Sequence, residues 1–322
     1  MQKTNLIRVI KFISAMLIIA SMLTGCSPMW NPSDNKDNSK IKVVASLFPQ
    51  YDFAKQIAKD KAEVTLLLPP GTESHTFDPG PGDIIKISDS DMFLYTGKHM
   101  EPWADRLISG IDNKNLKVVD VSAQIGLLNS NHEHDEAEEA NGEEHDHEYD
   151  PHIWLDPILA CQMVDNIASA FCEKDPANAN FYNENATAYK KELQLLDSDI
   201  SNAVKASKRK TMVFASRFSY LYFINRYKLD YIAAFDGCSA ESEPSVKKMT
   251  EIIDFIKTNN IPVIYYEEFD LTKIAKSICD STGVKALKFS TVHNVSKGEL
   301  ESGKTYLEIM RENLENLKQG LI

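Results

Sequence analysis

From residue 41 onward, short apolar runs alternate with longer amphipathic stretches. Residues 41–46 (IKVVAS), 63–68 (EVTLLL), 91–96 (DMFLYT) and 117–121 (KVVDV) are strand-length runs rich in β-branched and aliphatic residues. Strands buried on both faces by crossover helices have this composition. Helix-forming sequence lies between them, so the pattern predicts parallel βαβ units. The same rhythm returns at 211–215 (TMVFA), 229–235 (LDYIAAF), 261–266 (IPVIYY) and 284–289 (VKALKF). The expected architecture is α/β, with two lobes that each hold a four-stranded parallel sheet and flanking helices.

Between the two sets of strands lies helix-forming sequence. Asp156-Pro157 is a good N-cap and first-turn pair, opening a helix to about Cys172. Asp175-Pro176 opens a second, running to about Ser207. On it Tyr182, Tyr189, Leu193, Leu196, Ile200 and Val204 recur at seven-, four- and three-residue spacings, one apolar face of an α-helix. A helix of about thirty residues spans roughly 45 Å. The expectation is a rigid spine joining the lobes and limiting their closure.

The first forty residues are of a different kind. Lys3, Arg8 and Lys11 precede an apolar run at 12–23 that is too short for an ordinary membrane span. The run ends in Leu23-Thr24-Gly25-Cys26, which looks like a bacterial lipobox and implies cleavage before Cys26 and lipidation of its thiol. The expected organisation is a signal peptide (1–25), a polar, flexible tether (26–40), a first lobe (41–174), a spine helix (175–208) and a second lobe (209–322). The protein would be lipid-anchored to the cell membrane on its extracytoplasmic face.

A chain with 43% hydrophobic and 25% charged residues is an ordinary globular one, and its formal net charge of −12 becomes more negative once the basic leader is removed. Such a surface argues against nucleic acid as a partner and is compatible with cations. The cysteines show no CxxC spacing. Cys161 and Cys172, eleven apart on one helix face, read as buried apolar residues; if a disulfide forms, Cys238 with Cys279 is the preferred pair.

Three histidines carry the candidate chemistry. His75 lies in PPGTESHTFDP (69–79), directly after the second strand, where ligands bind parallel sheets. His152 lies in YDPHIWLDP (149–157), beside a Trp expected to pack beneath it. His293 lies in FSTVHNV (289–295), after the last strand. Folding that gathers distant histidines most often serves a first-row metal. Residues 131–150 add four more histidines (His132, His134, His145, His147) among ten acidic residues, with no Lys or Arg. Such a run cannot bury a core. It reads either as a weak, exchangeable zinc-capture loop or as a solvated acidic loop whose histidines are incidental.

The succession PPGTESHTFDPGPGDI, acidic histidine-rich loop and DPHIWLDP resembles the metal-binding solute-binding proteins of bacterial zinc and manganese ABC importers, over nearly the whole chain after the tether. The resemblance implies that His75 and His152 are the first two metal ligands. It also implies a monomeric receptor without turnover, whose partners are an ABC permease and its ATPase subunit. Two expected ligands are missing: Ala215 stands where the family has His or Glu, and Ser290 where it usually has Asp. His293 is the preferred third ligand and Glu268 the preferred fourth, with Glu267, Glu241 and Glu243 also in strand-end loops and water an alternative. Three imidazoles with at most one carboxylate suit Zn²⁺; two histidines with two carboxylates would make Mn²⁺ a competitor. Other readings are an adhesin or sensor that kept the fold and lost transport, which Ala215 and Ser290 favour, and a zinc-dependent hydrolase. Against the last, no motif sets a general base beside a nucleophile.

Overall fold

The computed structural model describes residues 40–130, 149–235, 244–267 and 273–321. The first lobe runs β1 (Ile41–Ala45), α1 (Phe48–Ala58), β2 (Ala62–Leu66), α2 (Pro81–Ser88), β3 (Met92–Tyr95), α3 (Ala104–Ser109) and β4 (Lys117–Asp120). Helices α4 (Pro157–Lys174) and α5 (Ala179–Ala206) follow. The second lobe runs β5 (Thr211–Phe214), α6 (Leu221–Tyr227), β6 (Asp230–Ala233), α7 (Val246–Asn259), β7 (Val263–Tyr266), α8 (Lys273–Thr282), β8 (Lys285–Lys288), α9 (Lys297–Glu301) and α10 (Tyr306–Gly320).

All strand pairs are parallel, in the orders β2-β1-β3-β4 and β6-β5-β7-β8. The two lobes therefore repeat one topology. In each, the order reverses beside the first strand, and such a switch point opens a crevice at the carboxyl ends of the strands. All eight expected strands are present, and most are shorter than their apolar runs. Phe289, for example, is fully buried although it lies beyond β8, because strand-end loops pack inward as well as the strands themselves.

Helix α4 starts as expected: the Asp156 carboxylate accepts the Ile158 and Leu159 N–H groups at 2.8 and 3.4 Å, filling donors the first turn leaves open. The spine starts later than expected. Pro176–Asn178 forms a 3-10 turn, and Asp175 Oδ2 ties it down by accepting from Asn178 Nδ2 and, at 2.8 Å, from the Tyr182 hydroxyl. The α-helix proper is 28 residues, about 42 Å long. Its predicted apolar face, Tyr182 through Val204, is buried throughout.

That face packs on α1 and α4 of the first lobe and on α10 of the second. One buried apolar cluster extends through both lobes, from Val43 and Leu94 to Phe214 and Phe289. At its centre the Phe53 ring meets Tyr306 and Tyr189, with centroids 4.9 and 5.8 Å apart. Asp52 accepts from the Tyr306 N–H and the Tyr189 hydroxyl, both at 3.1 Å, so a first-lobe carboxylate holds the start of a second-lobe helix. Cys161 is buried, with burial pushing its thiol up to about 11, and Cys172 is half-buried. Both are free thiols, as is Cys279; Cys238 lies outside the described residues.

Candidate metal centre

His75 and His293 lie in the loops after β2 and β8, His152 directly before the Ile153–Leu155 3-10 turn that leads into α4, and each is fixed by its own chemistry. Pro151 separates Asp150 from His152, and Asp150 Oδ1 accepts both the backbone N–H and the ring Nδ1–H of His152, each at 2.8 Å. A carboxylate on Nδ1 sets the tautomer and leaves the Nε2 lone pair to face outward, the arrangement that metal-binding histidines use. Asp150 is itself held in place: its carbonyl accepts from the Tyr222 hydroxyl at 2.8 Å, and its N–H donates to Leu128 O at 2.8 Å. His152 is completely buried. The expected Trp154 contact is present, edge to face at 5.5 Å, and Trp154 also packs against His293 at 5.3 Å. Its indole N–H donates to Thr291 O at 2.7 Å, joining the His152 loop to the His293 loop.

The His293 loop reverses at Val292, whose φ of +61° is strained for a β-branched residue and costs on the order of 1–3 kcal/mol. The loop around it offsets that strain. Ser290 exchanges hydrogen bonds with Asn313 of α10, both at 2.8 Å, and its hydroxyl accepts the Val292 N–H at 3.1 Å. Thr291 Oγ1 bonds His293 Nδ1, again leaving Nε2 to the pocket. The His293 carbonyl accepts from Phe48 N–H at 3.1 Å, the Asn294 amide donates to Pro69 O and Thr72 O at 2.7 and 3.0 Å, and Gly71 N–H donates to Val295 O at 3.0 Å. The second-lobe loop is thus laced to the loop that carries His75.

His75 is only partly buried, and its N–H donates to Glu73 Oε1 at 3.3 Å. Glu73 also pairs with Arg217, which lies just past β5, and Arg217 stands 3.7 Å from Glu267 after β7. Against the desolvation that would raise it, the Arg217 hydrogen bond and charge hold the Glu73 carboxyl below its ordinary range.

His75, His152 and His293 converge so that one nitrogen from each lies within 4.8 Å of the others. The Nε2 atoms of His75 and His152 are 3.4 Å apart. That is long for an N–H···N hydrogen bond. It matches the separation of about 3.3–3.4 Å that tetrahedral geometry gives two nitrogens each about 2.05 Å from a zinc ion. The donor set and spacing fit a first-row divalent cation.

Of the other sequence candidates, Glu267 pairs with Arg217 and is not in the three-histidine group. Glu268, Glu241, Glu243, the histidines at 132, 134, 145 and 147, and Cys26 lie outside the described residues. Ala215 is fully buried in a second-lobe apolar cluster with Val213 and Ile264. Asp150, Thr291 and the Arg217–Glu73 pair are site residues that the motifs alone do not single out. The Asp-x-His and Thr-x-His spacings, each setting an acceptor two residues before a ring, were the available signals for the first two.

Two lobes of repeated topology, welded along a helical spine and converging histidines on one pocket, define a metal-receptor type of two-lobed solute-binding protein. Residues 43–320 match the family model "ZnuA: Zinc-uptake complex component A periplasmic", and the chain belongs to this family. It is 32% identical to the high-affinity zinc uptake system protein ZnuA of Bacillus subtilis, over 97% of each chain. It is likewise 32% identical to the zinc-binding lipoprotein AdcA of Streptococcus pneumoniae, matching over 94% of this chain but 60% of AdcA's length. The crystal structure of the Zn(II)-bound ZnuA-like domain of that AdcA superposes with a TM-score of 0.73 at 30% identity, covering 88% of this chain and 99% of the domain.

Proposed function

We propose that this chain is an extracytoplasmic receptor that captures Zn²⁺ between its lobes on His75, His152 and His293 and hands it to an ABC permease served by an ATPase subunit. The observation that carries the reading is the 3.4 Å approach of the His75 and His152 Nε2 atoms beside His293, with both buried rings oriented through Nδ1. Three neutral imidazoles favour Zn²⁺ over Mn²⁺, which prefers more oxygen ligands. The fourth position falls to Glu268 or to water. Cys26 anchors the mature chain to the membrane through its lipid, residues 26–40 tether it, and the histidines at 132, 134, 145 and 147 hold zinc weakly near the pocket. The division into lobes at 41–174 and 209–322, with the spine between, follows the same plan. The receptor acts as a monomer and without turnover.

Chelator-stripped protein titrated with Zn²⁺ and Mn²⁺ tests the reading. One tight zinc site, lost in His75→Ala and His152→Ala, is the expected result. A protein that binds neither metal is no receptor of this kind, and the adhesin or sensor reading then takes its place.

A further inference from the structure

The loop that carries His75 is attached to the second lobe in two different ways. Before His75, neutral hydrogen bonds do it: Gly71 N–H to Val295 O at 3.0 Å, and the Asn294 amide to Pro69 O and Thr72 O. Gly71 has φ +79°, a conformation that favours glycine and strains other residues. Closer to His75 the attachment is ionic. Glu73 accepts the His75 N–H through one oxygen and pairs with Arg217 of the second lobe through the other. Arg217 is itself braced by Glu267, 3.7 Å away. His75 is the partly exposed ligand candidate, whereas His152 and His293 are buried.

Resting on the receptor reading above, we propose that Arg217 is a positioning residue that clasps the His75 loop to the second lobe through Glu73, so that bound metal leaves when this pair opens and His75 swings outward. Arg217 follows Ala215 by two residues, past the end of β5. It ties the two lobes with a charge pair, in addition to the metal that His75, His152 and His293 would share. Both partners are between a quarter and two-fifths exposed, so salt and water weaken the pair and it can open readily.

A clasp and simple charge repulsion predict opposite signs. If Arg217 only repelled the cation, Arg217→Gln would slow metal release while Glu73→Gln would hasten it. If the two form a clasp, both variants hasten release, and the double variant is no faster than either alone. The experiment measures zinc release to excess chelator, together with hydrogen exchange of the Thr72 and Phe77 amides in metal-free protein. These amides bond within the loop to Pro69 O and Ser74 O. We expect release to rise by up to about fivefold, what a part-exposed pair can hold, with unchanged stoichiometry and a thermal midpoint lower by no more than a few degrees. Exchange at Thr72 and Phe77 should rise in both single variants. Opposite signs in the two single variants, additive effects in the double, or release equal to wild type would overturn the clasp. If wild-type protein takes up no zinc, the receptor reading fails, and the exchange rates alone decide whether the clasp exists: unchanged rates in both single variants refute it.

Discussion

The two lobes repeat one strand order, yet they build their shares of the site by different means. The first lobe brings two histidines in long, proline-stiffened motifs. One of them, His152, is held by a carboxylate two residues away. The second lobe brings one histidine on a strained turn, with a threonine hydroxyl on its Nδ1 and a serine–asparagine pair beneath it. Topology decides which loops converge; it leaves open which residue within a loop supplies the nitrogen. The three histidines converge although Ala215 and Ser290, at second-lobe strand ends, carry neither an imidazole nor a carboxylate.

The most damaging way to break the first-lobe share is His152→Ala. Tight zinc binding should vanish, and stability should fall by about 1–3 kcal/mol because the buried Asp150 carboxylate loses its imidazole partner and keeps only the backbone N–H. Metal titration and denaturant unfolding check the two parts separately. The matching test of the second lobe is His293→Ala. Its affinity loss should exceed the roughly 10–100-fold that outer hydrogen-bond partners cost, with stoichiometry falling below one at working concentrations. An affinity left intact would mean that the second lobe contributes through some other residue. Asp150→Asn should fall within that 10–100-fold range, since it disturbs His152 orientation without removing a nitrogen, and competition with a chelator of known affinity reads it directly.

The smallest expected effect contrasts strand-end chemistry away from the histidines. The second lobe fills its strand ends with stacked rings, Phe214 on Tyr220 at 4.6 Å. The first lobe buries Glu101 there, with Ser46 Oγ donating at 2.5 Å and Thr96 N–H at 2.9 Å. Burial pushes the Glu101 carboxyl up to about 8 despite those hydrogen bonds. Between an unfolded value of about 4.3 and about 8, the folded chain therefore holds a proton that the unfolded chain has lost. This contribution to stability is complete at low pH and declines as pH rises through that window. Glu101→Gln should flatten the decline, which thermal melts at several pH values would reveal.

The strands, the parallel four-stranded sheet of each lobe and the buried face of α5 were legible in the sequence because burial leaves a clear apolar rhythm, while the strand order was not. The neighbourhood of His75 and His152 was legible as well. Strand ends were less legible: the apolar runs overshoot β6 and β8 because residues such as Phe289 are buried in loops beyond the ladder. The start of α5 was misplaced by three residues because Asp175-Pro176 builds a 3-10 turn first. Within the site, Asp150 was hidden in a run of ten acidic residues, and nothing local distinguishes the carboxylate that meets a ring from those that meet water. Arg217 and Glu73 are 144 positions apart, and only the closed fold makes them neighbours.

X-ray absorption at the zinc edge, on chelator-stripped full-length protein reloaded with one equivalent of Zn²⁺, tests the central claim most directly. The expected shell is a four-coordinate ion with three imidazole nitrogens at about 2.0–2.1 Å and one oxygen. A shell with fewer than three imidazoles, or one containing sulfur, would contradict it.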